Sequence, residues 1–150
     1  MQVIEKLNIK ATYVFCALIE RLRQSGAAYI RLKKASYLPL SIELLYGGIT
    51  TPWGEGKLYS LMHSFVQHGD LMRDPDMTFI VVDNRDQRHQ LLEFVGIYPQ
   101  SYQLDSLDIF QESIFIEGMK LTKFHVAQNR EHCAFANIWL TNIEQQGFLS

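Results

Sequence analysis

The chain has 150 residues, of which 47% are hydrophobic and 20% are charged. This composition is typical of a globular protein and argues against a disordered chain, and the length fits one domain, 1–150. The net charge of -2 gives no indication of a polyanionic partner such as DNA, and the absence of a long apolar run predicts no membrane association.

The first predicted element is an amphipathic helix. Val14, Leu18 and Leu22 recur every four residues and form one apolar stripe. Asn8 or Thr12 is a suitable N-cap, and a glycine follows Ser25 as an end signal. We therefore predict a helix that ends at about Ser25.

An antiparallel hairpin is predicted next, from the runs Tyr29–Ala35 and Leu40–Leu44, because apolar and polar residues alternate in both. Gly47 and Gly48 would end it. We then expect a loop over Ile49–Gly56. Its Trp53 either packs over the edge of the core or anchors a partner, and we favour packing.

Residues 58–67 fit a strand or a helix. The strand is favoured, because Gly69 and the β-branched run Thr78–Asp83 follow. Further along the chain, the alternation predicts strands and one loop. These are strands at His89–Ile97 and Ile109–Glu117, an edge strand at Lys120–Val126, and a loop at Tyr98–Asp105.

A last helix is predicted from Gln128 or Asn129 to about Gln146, because its apolar residues recur at helical spacing. Its buried face would carry Cys133, Ala136, Trp139, Leu140 and Ile143. The complete pattern is helix, about six strands, helix. It predicts the α+β class, with an antiparallel sheet flanked by an N-terminal and a C-terminal helix.

Cysteine usage and the N-terminus point to the cytoplasm. Cys16 and Cys133 are far apart and lie among apolar neighbours, which favours buried free thiols over a zinc site. The apolar run Tyr13–Ile19 is short and has no small-residue cleavage site, so it is not typical of a signal peptide. We predict a cytoplasmic protein without a cofactor.

The densest group of polar residues lies in the segment His63–Met77, which we interpret as a hairpin connection. His63, Asp70, Asp74 and Asp76 could converge there as an acid–base pair or a hard-metal site. Alternatively, Asp70 and Asp74 accept N–H groups of the turn itself, and this interpretation is favoured. No established metal or nucleophile motif matches the spacing.

The segment "HSFVQHGDLMRDPDM" resembles the signature H-x-x-x-Q-N-G-D-L-M-x-D-P-E-M of an uncharacterised family found on bacterial plasmids, conjugative elements and phage-like islands. The segments "SYQLDSLDIFQE" and "WLTNIEQQGF" are similar to later parts of the same family. The matching positions are His63, Gln67, Gly69, Asp70, Asp74, Pro75, Met77, Tyr102, Gln103, Asp105, Gln111, Glu112 and Trp139. The chain departs from the signature at His68, Asp76 and Leu104, which weakens the case for a catalytic carboxylate at Asp76.

The resemblance implies an accessory protein of mobile DNA, and it implies no chemical reaction. Our leading hypothesis is a non-enzymatic domain that binds a protein or nucleic-acid partner through region 63–77 and neighbouring loops. The binding candidates are His63, Gln67, Asp70, Asp74, Tyr102, Gln103, Asp105 and Glu112. The alternative is a metal-dependent hydrolase or nuclease that uses His63, Asp70, Asp74 and Glu112, and a purely structural subunit is the third possibility.

Overall fold

A computed structural model describes residues 3–150. The described part of the chain forms two helices and eight strands, with two short 3₁₀ turns at Leu92–Phe94 and Asp105–Leu107. In chain order the elements are α1 (Ile9–Ser25), β1 (Tyr29–Leu32), β2 (Leu40–Thr51), β3 (Gly54–Gln67), β4 (Asp70–Asp83), β5 (Val95–Leu104), β6 (Ile109–Glu112), β7 (Ile114–Glu117), β8 (Lys120–Phe124) and α2 (Val126–Gln145).

Strands form one sheet in the order β6-β5-β4-β3-β2-β8-β7, and β1 also pairs with β2. All pairings are antiparallel except the single contact of β2 with β8 at Thr50 and Lys120. The predicted α+β class, with an antiparallel sheet and two terminal helices, is therefore confirmed. The sheet has eight strands instead of about six.

The sheet is curved, and its two terminal strands follow one another in the chain. β6 and β7 are the terminal strands of the order, yet only Ser113 separates them in sequence. The Ser113 N–H donates to Gln100 O at 2.9 Å, and Ser113 O accepts from the His125 N–H at 2.8 Å. This buried serine thus connects β5, β7 and the start of α2.

Two apolar clusters lie on opposite faces of the sheet. Both helices cover one face, where Phe15 of α1 contacts Phe79 of β4 with ring centroids 4.9 Å apart. On the other face, β7 and β8 enclose a smaller cluster around Ile80 and Ile114. Because neighbouring residues of a strand point to opposite faces, the long strands β2 to β5 contribute apolar side chains to both clusters.

The helix predictions are confirmed with small shifts. α1 begins after Asn8, whose side chain accepts the Ala11 N–H, and ends at Gly26 in the left-handed region. α2 begins at Val126, two residues before the predicted start, because the side chain of His125 accepts the Gln128 N–H as the cap. Its predicted buried face is buried. Neither helix of residues 3–150 is long and apolar enough to cross a membrane.

The predicted end of the first hairpin is wrong. β2 continues through Gly47 and Gly48 to Thr51, with register shifts that accommodate these glycines, so Ile49–Gly56 is not a loop. The chain turns only between Thr51 and Gly54. Trp53 in this turn stacks on Tyr98 at 4.0 Å between ring centroids, in agreement with the favoured packing interpretation.

Segment 58–67 is a strand, as favoured, but the wider interpretation of His63–Met77 as a connection is wrong. Only His68 and Gly69 form the turn, and both have positive φ. Gln67 and Asp70 already pair across β3 and β4. Two consecutive left-handed residues match the right-handed twist of a hairpin, so the strands extend to the turn itself.

Predictions around β5 are also corrected. Tyr98–Asp105 is not a loop, because β5 runs from Val95 to Leu104 and places Pro99 next to a register shift, where proline is tolerated. The predicted strand at His89–Ile97 begins only at Val95. The strand Ile109–Glu117 is divided into β6 and β7 at Ser113. β8 lies between β2 and β7 and is not an edge strand.

Both cysteines are free, in line with the expectation of free thiols. Cys133 is buried, and its thiol donates to Glu5 O at 3.2 Å. Cys16 is only partly buried, because it lies at the margin of α1 where the helix borders a surface cleft.

Candidate functional site

His63 lies on the helix-covered face of β3, between two aromatic rings. Its imidazole centroid is 5.7 Å from that of Trp139 and 5.7 Å from that of Phe148. Nδ1 lies 3.2 Å from Leu38 O and 3.3 Å from Pro39 O, and since carbonyls only accept, Nδ1 carries the proton. Burial lowers the pKa of His63, which favours the neutral imidazole.

The ring of His63 begins a continuous row of aromatic contacts along the underside of α2. Trp139 contacts Phe135 at 5.9 Å, Phe135 contacts Tyr102 at 5.4 Å, and Tyr102 stacks on His132 at 5.7 Å between centroids. We call these five residues the ring row. It connects strands β3 and β5 to α2, and aromatic pairs of this kind add to the stabilisation from burial.

Asp74 of β4 lies near the ring row. Burial raises the pKa of Tyr102, and the negative charge of Asp74 raises it further. The same charge acts on His63, where it partly opposes the lowering of the pKa by burial. Of the predicted site residues, the structure therefore brings His63, Asp74 and Tyr102 together. The two rings are half-buried, and within residues 3–150 no hydrogen bond joins Asp74 to either of them. The three groups could together orient a bound polar group.

Two buried polar atoms of the ring row lack a hydrogen-bond partner among residues 3–150, namely His132 Nδ1 and Trp139 Nε1. His132 Nε2 donates to Gln111 Oε1 at 3.1 Å, which fixes the proton on Nε2. Unsatisfied buried groups typically cost about 1–3 kcal/mol each. The ring row is therefore held by ring packing more than by hydrogen bonds.

A second group of predicted residues, Gln103 and Asp105, forms around Arg73. Asp105 Oδ2 accepts the Arg73 backbone N–H and Nε–H, each at 2.9 Å, and Asp105 Oδ1 accepts from Gln103 Nε2 at 3.1 Å. The Arg73 N–H lowers the pKa of Asp105, with help from the guanidinium. This carboxylate ties the Asp105–Leu107 turn to β4 near the hairpin end.

Glu112 belongs to a third group on the opposite face of the sheet. Gln111 faces α2, so its neighbour Glu112 points away from it. Glu112 Oε2 accepts from Gln100 Nε2 at 2.9 Å, and Gln100 Oε1 accepts from the Thr78 hydroxyl at 2.7 Å. On β4, Asp76 accepts from Ser60 Oγ at 2.7 Å, and burial raises the pKa of Asp76.

Gln67 and Asp70 lie exposed at the end of the β3–β4 hairpin, away from all three groups. Within residues 3–150, neither Asp70 nor Asp74 accepts a side-chain hydrogen bond, so the favoured expectation that both accept turn N–H groups is wrong. Asp105, on the neighbouring turn, accepts a backbone N–H instead.

The residues of the metal-site alternative are not brought together. His63 and Glu112 lie on opposite faces of the sheet, and Asp70 lies at the hairpin end. Among residues 3–150 there is no group of three or more His, Cys, Asp or Glu side chains placed to hold a metal ion.

Sequence reasoning missed three partners of His63 and Tyr102: His132, Phe135 and Phe148. His132 lies seven residues before Trp139, which places both on one stripe of α2, so helical periodicity could have identified it. Phe135 is 39% exposed, so the pattern of buried residues along α2 does not identify it. Phe148 follows the helix and is buried by the return of the chain at Gly147, which no periodic pattern indicates.

A family model described as Domain of unknown function (DUF6908) matches residues 13–149. The chain belongs to this family. The match spans all eight strands, α2 and the whole ring row, and it leaves out only the lead-in and the first turn of α1. The expected membership in an uncharacterised family is thus confirmed, and the description of DUF6908 states no reaction. No curated protein and no solved structure matches the chain.

Proposed function

We propose that this DUF6908 protein is a non-enzymatic, cytoplasmic accessory protein of mobile genetic elements, and that it binds a protein partner through the end of the β3–β4 hairpin. The observation that carries the proposal is a pair of exposed aliphatic side chains. Val66 and Leu71 are direct cross-strand neighbours, and they are 67% and 55% exposed. We call residues 66–71 the tip surface.

The tip surface has the composition of a small binding site. Cross-strand neighbours have Cβ atoms about 5 Å apart, so Val66 and Leu71 form one continuous apolar surface. Leu107, in the turn that Asp105 ties to β4, is 67% exposed and adds to the apolar surface at this end of the sheet. Exposed apolar groups that are rimmed by polar residues are typical of protein-binding sites.

The charges of this region favour a protein over a nucleic acid. Arg73 is the only Lys or Arg in segment 63–77, and it is already bonded to Asp105. The same segment contains Asp70, Asp74 and Asp76. Because phosphate recognition depends on available cations, an apolar surface with one carboxylate, Asp70, and no free Lys or Arg suits a protein segment with apolar side chains.

The ring row holds β3 in place close to the tip surface. His63 fixes β3 against Trp139 of α2 and against Phe148, five residues before the hairpin turn begins. A hairpin held in one conformation loses little entropy on binding, which leaves more of the interaction free energy for affinity. His63, Asp74 and Tyr102 would then act by positioning the tip surface. Gln67 and Asp70 would form its polar rim, and Gln103 and Asp105 would support it through Arg73. Glu112, on the opposite face of the sheet, would not take part.

Site-specific photo-cross-linking tests the proposal. A photoreactive phenylalanine analogue would replace Leu71, and in a matched control Leu91, which is 64% exposed and lies in the segment before β5. Both proteins would be produced in a bacterial host that carries the parent mobile element. We expect a discrete protein adduct from position 71 and none from position 91.

Binding with the purified partner completes the test. Leu71→Asp should weaken the affinity at least about tenfold, whereas Leu91→Asp should leave it unchanged. Equal effects of the two variants would contradict the tip surface as the interface. Adducts with nucleic acid alone would contradict the proposed partner class. The biological role would be contradicted if an element from which the gene is deleted still transferred and was maintained normally.

A further inference from the structure

Strand β1 forms a free edge of the sheet. It pairs with the first residues of β2 on one side, and no strand pairs with its other side within residues 3–150. Tyr29 on this edge is 46% exposed, and Arg31 is exposed as well. A free edge of this kind is a template on which an extended peptide can add a further strand.

Two residues of β1 direct their backbone hydrogen-bonding groups away from the sheet. The Leu44 N–H donates to Ala28 O at 2.8 Å, immediately before β1. Because hydrogen-bonded and non-hydrogen-bonded pairs alternate in an antiparallel ladder, Ile30 exchanges hydrogen bonds with β2. The residues on either side of it, Tyr29 and Arg31, therefore point their N–H and C=O groups outward. No residue of the described chain bonds to these outward groups, so they are available to a peptide backbone.

The segment that contains β1 is entirely basic. Residues 21–42 include five of the 14 Lys and Arg residues and none of the 16 Asp and Glu residues, although the whole chain has a net charge of -2. Three of these cations, Arg31, Lys33 and Lys34, lie on β1 or directly after it. Since opposite charges on neighbouring strands stabilise a sheet, this edge favours an acidic strand.

Other occupants fit this edge less well. Two copies of β1 would place like charges beside one another, which disfavours pairing of the edge with itself. Glu43, opposite Tyr29 on β2, forms no ion pair with a cation of this segment, so it does not neutralise the edge. A nucleic acid could pair with the cations, but the alternating N–H and C=O groups along the edge match a peptide backbone.

The two faces of β1 specify the pattern of side chains in such a peptide. Ile30 and Leu32 are partly buried against the helix-covered core, and Tyr29 and Arg31 face the opposite side. The Tyr29 hydroxyl lies 3.1 Å from Ser41 Oγ, and this hydrogen bond holds the ring against β2. A strand added to β1 would therefore place apolar side chains beside Ile30 and Leu32 and acidic side chains beside Arg31.

We propose that the free edge of β1 binds an extended peptide segment in which acidic and aliphatic residues alternate, and that this segment adds to the sheet as a further strand. Its backbone would pair with the outward groups of Tyr29 and Arg31, and its carboxylates would bind Arg31 and Lys33. β1 adjoins the start of β2, whereas the tip surface lies at the end of the β3–β4 hairpin. The inference therefore does not rest on the proposed function.

Fluorescence anisotropy with the full-length protein tests the proposal. The probe is the labelled peptide acetyl-Glu-Val-Glu-Val-Glu-Val-Glu-amide, for which we expect saturable binding. Two matched peptides separate charge from strand pairing. One has lysine in place of each glutamate, and the other keeps the glutamates but carries N-methyl groups on its backbone nitrogens. Each should bind at least about tenfold more weakly than the probe.

Substitutions in the protein locate the binding surface. Arg31→Glu should weaken binding of the probe at least about tenfold. Arg88→Glu is the matched control, because it makes the same change of charge at another exposed arginine, in the loop before β5, and it should leave binding unchanged. Leu71→Asp should also bind the probe like the wild type, which separates this surface from the tip surface.

Amide hydrogen exchange measures the strand pairing directly. In the free protein the outward N–H groups of Tyr29 and Arg31 should exchange faster than the N–H of Ile30, which is bonded to β2. Saturation with the probe should slow exchange at Tyr29 and Arg31 at least about tenfold, because a peptide backbone then accepts these hydrogen bonds. Contacts through charges alone would leave both rates unchanged.

The inference would be overturned by the absence of saturable binding or by unchanged affinity in Arg31→Glu. Equal binding of the N-methylated peptide would show that no strand is added, and equal binding of the lysine peptide would remove the charge selectivity. Tighter binding of a single-stranded oligonucleotide than of the probe, if lost in Arg31→Glu, would assign the basic edge to nucleic acid instead.

Discussion

Tyr102 of β5 stacks on His132 of α2, with ring centroids 5.7 Å apart and an interplanar angle of 27°. Gln111, the cross-strand partner of Tyr102, accepts through Oε1 the hydrogen bond that His132 Nε2–H donates. One pair of strand residues therefore holds both the face and one edge of the imidazole. His132 Nδ1 has no partner among residues 3–150, so a second proton would find no acceptor.

This environment predicts that acid weakens the fold through His132. Burial lowers the pKa of His132 below the unfolded value of about 6.5. Between the folded and unfolded pKa values the unfolded chain binds more protons, so the free energy of unfolding falls as pH drops below about 6.5. Below the folded pKa of His132, both the folded and the unfolded chain bind the proton, and the free energy of unfolding stops falling. His63 acts in the same direction, because burial also lowers its pKa.

Urea unfolding between about pH 7.5 and pH 5.5 measures this effect. His132→Asn should be less stable at neutral pH than the wild type but should lose less stability on acidification. His68→Asn is the control, because His68 is exposed in the turn and makes no side-chain hydrogen bond or ion pair within residues 3–150, and asparagine tolerates its left-handed conformation; it should keep the wild-type pH dependence. A wild-type slope in both His132→Asn and His63→Asn would contradict the explanation.

Trp139 lies between His63 and Phe135 in the ring row, and its removal should strongly destabilise the protein. Trp139→Ala should destabilise the protein by about 3–5 kcal/mol, because a large buried ring between His63 and Phe135 would leave a cavity. Ile138→Ala is a matched control on the same helix, since Ile138 is 65% exposed, and should change stability by less than about 0.5 kcal/mol. Denaturant melts compare the two. A loss below 1 kcal/mol for Trp139→Ala would show that the ring does not support the core.

The indole nitrogen of Trp139 allows a finer comparison. Nε1 is buried without a partner in the described chain, so the wild type already bears the cost of an unpaired donor. Trp139→Phe removes this donor but also part of the ring. We expect it to recover most of the stability lost in Trp139→Ala. Equal losses in the two variants would indicate that Nε1 has a partner in solution.

The sequence predicts the fold class because periodicity is a local signal. Val14, Leu18 and Leu22 identify α1, and Ala136 and Leu140 identify the buried face of α2, as the structure confirms. The positions of the turns cannot be predicted from such a local signal. Gly47 and Gly48 have the composition of a turn, but β2 passes through them because β3 pairs on both sides. Tertiary pairing overrides local propensity at such positions.

The candidate site could be predicted only in part, because its contacts join residues far apart in the chain. His63, Asp74 and Tyr102 were identified as polar residues of interest, and the structure places them near one another. The contacts of His63 with Phe148 and of Tyr102 with His132 depend on how α2 crosses the sheet. Glu112 lies on the opposite face from His63, because the register of β6 against β5 places Gln111 opposite Tyr102 and so directs Glu112 away from α2.

Asp105 should contribute more to stability than the carboxylates of the hairpin. Asp105→Ala removes the acceptor for the Arg73 N–H and Nε–H and should cost about 1 kcal/mol at neutral pH. Asp70→Ala and Asp74→Ala should each cost less than about 0.5 kcal/mol, since neither side chain makes a hydrogen bond within residues 3–150. Thermal melts of the three variants would rank their losses of stability. A larger loss for Asp74→Ala than for Asp105→Ala would restore the capping role expected for Asp74.

The same carboxylate has a defined pH signature. The hydrogen bond from the Arg73 N–H lowers the pKa of Asp105 below the unfolded value of about 3.9. Its contribution is therefore complete above that value and is lost as pH falls through the folded pKa. The difference in stability between wild type and Asp105→Ala should shrink from pH 6 toward about pH 2. A constant difference would mean that the carboxylate charge plays no part.

Gly96 provides a test of close packing beside the stack of Trp53 on Tyr98. A Cβ at Gly96 would lie 2.7 Å from both Cε2 and the hydroxyl of Tyr98, the ring that stacks on Trp53 at 4.0 Å. Gly96→Ala should therefore displace the Tyr98 ring and cost about 1–3 kcal/mol. Gly47→Ala is the control, because its Cβ would meet only Lys57 Cγ at 3.4 Å, an ordinary contact.

Two measurements connect the loss to Tyr98. Near-ultraviolet circular dichroism should change in Gly96→Ala and not in Gly47→Ala, because only the former disturbs the stack with Trp53. In a double-mutant cycle, Tyr98→Ala removes the atoms that the new methyl group would strike, so the combined loss should be smaller than the sum of the single losses. Additive losses would place the cost of Gly96→Ala in the strand backbone and not in the contact with Tyr98.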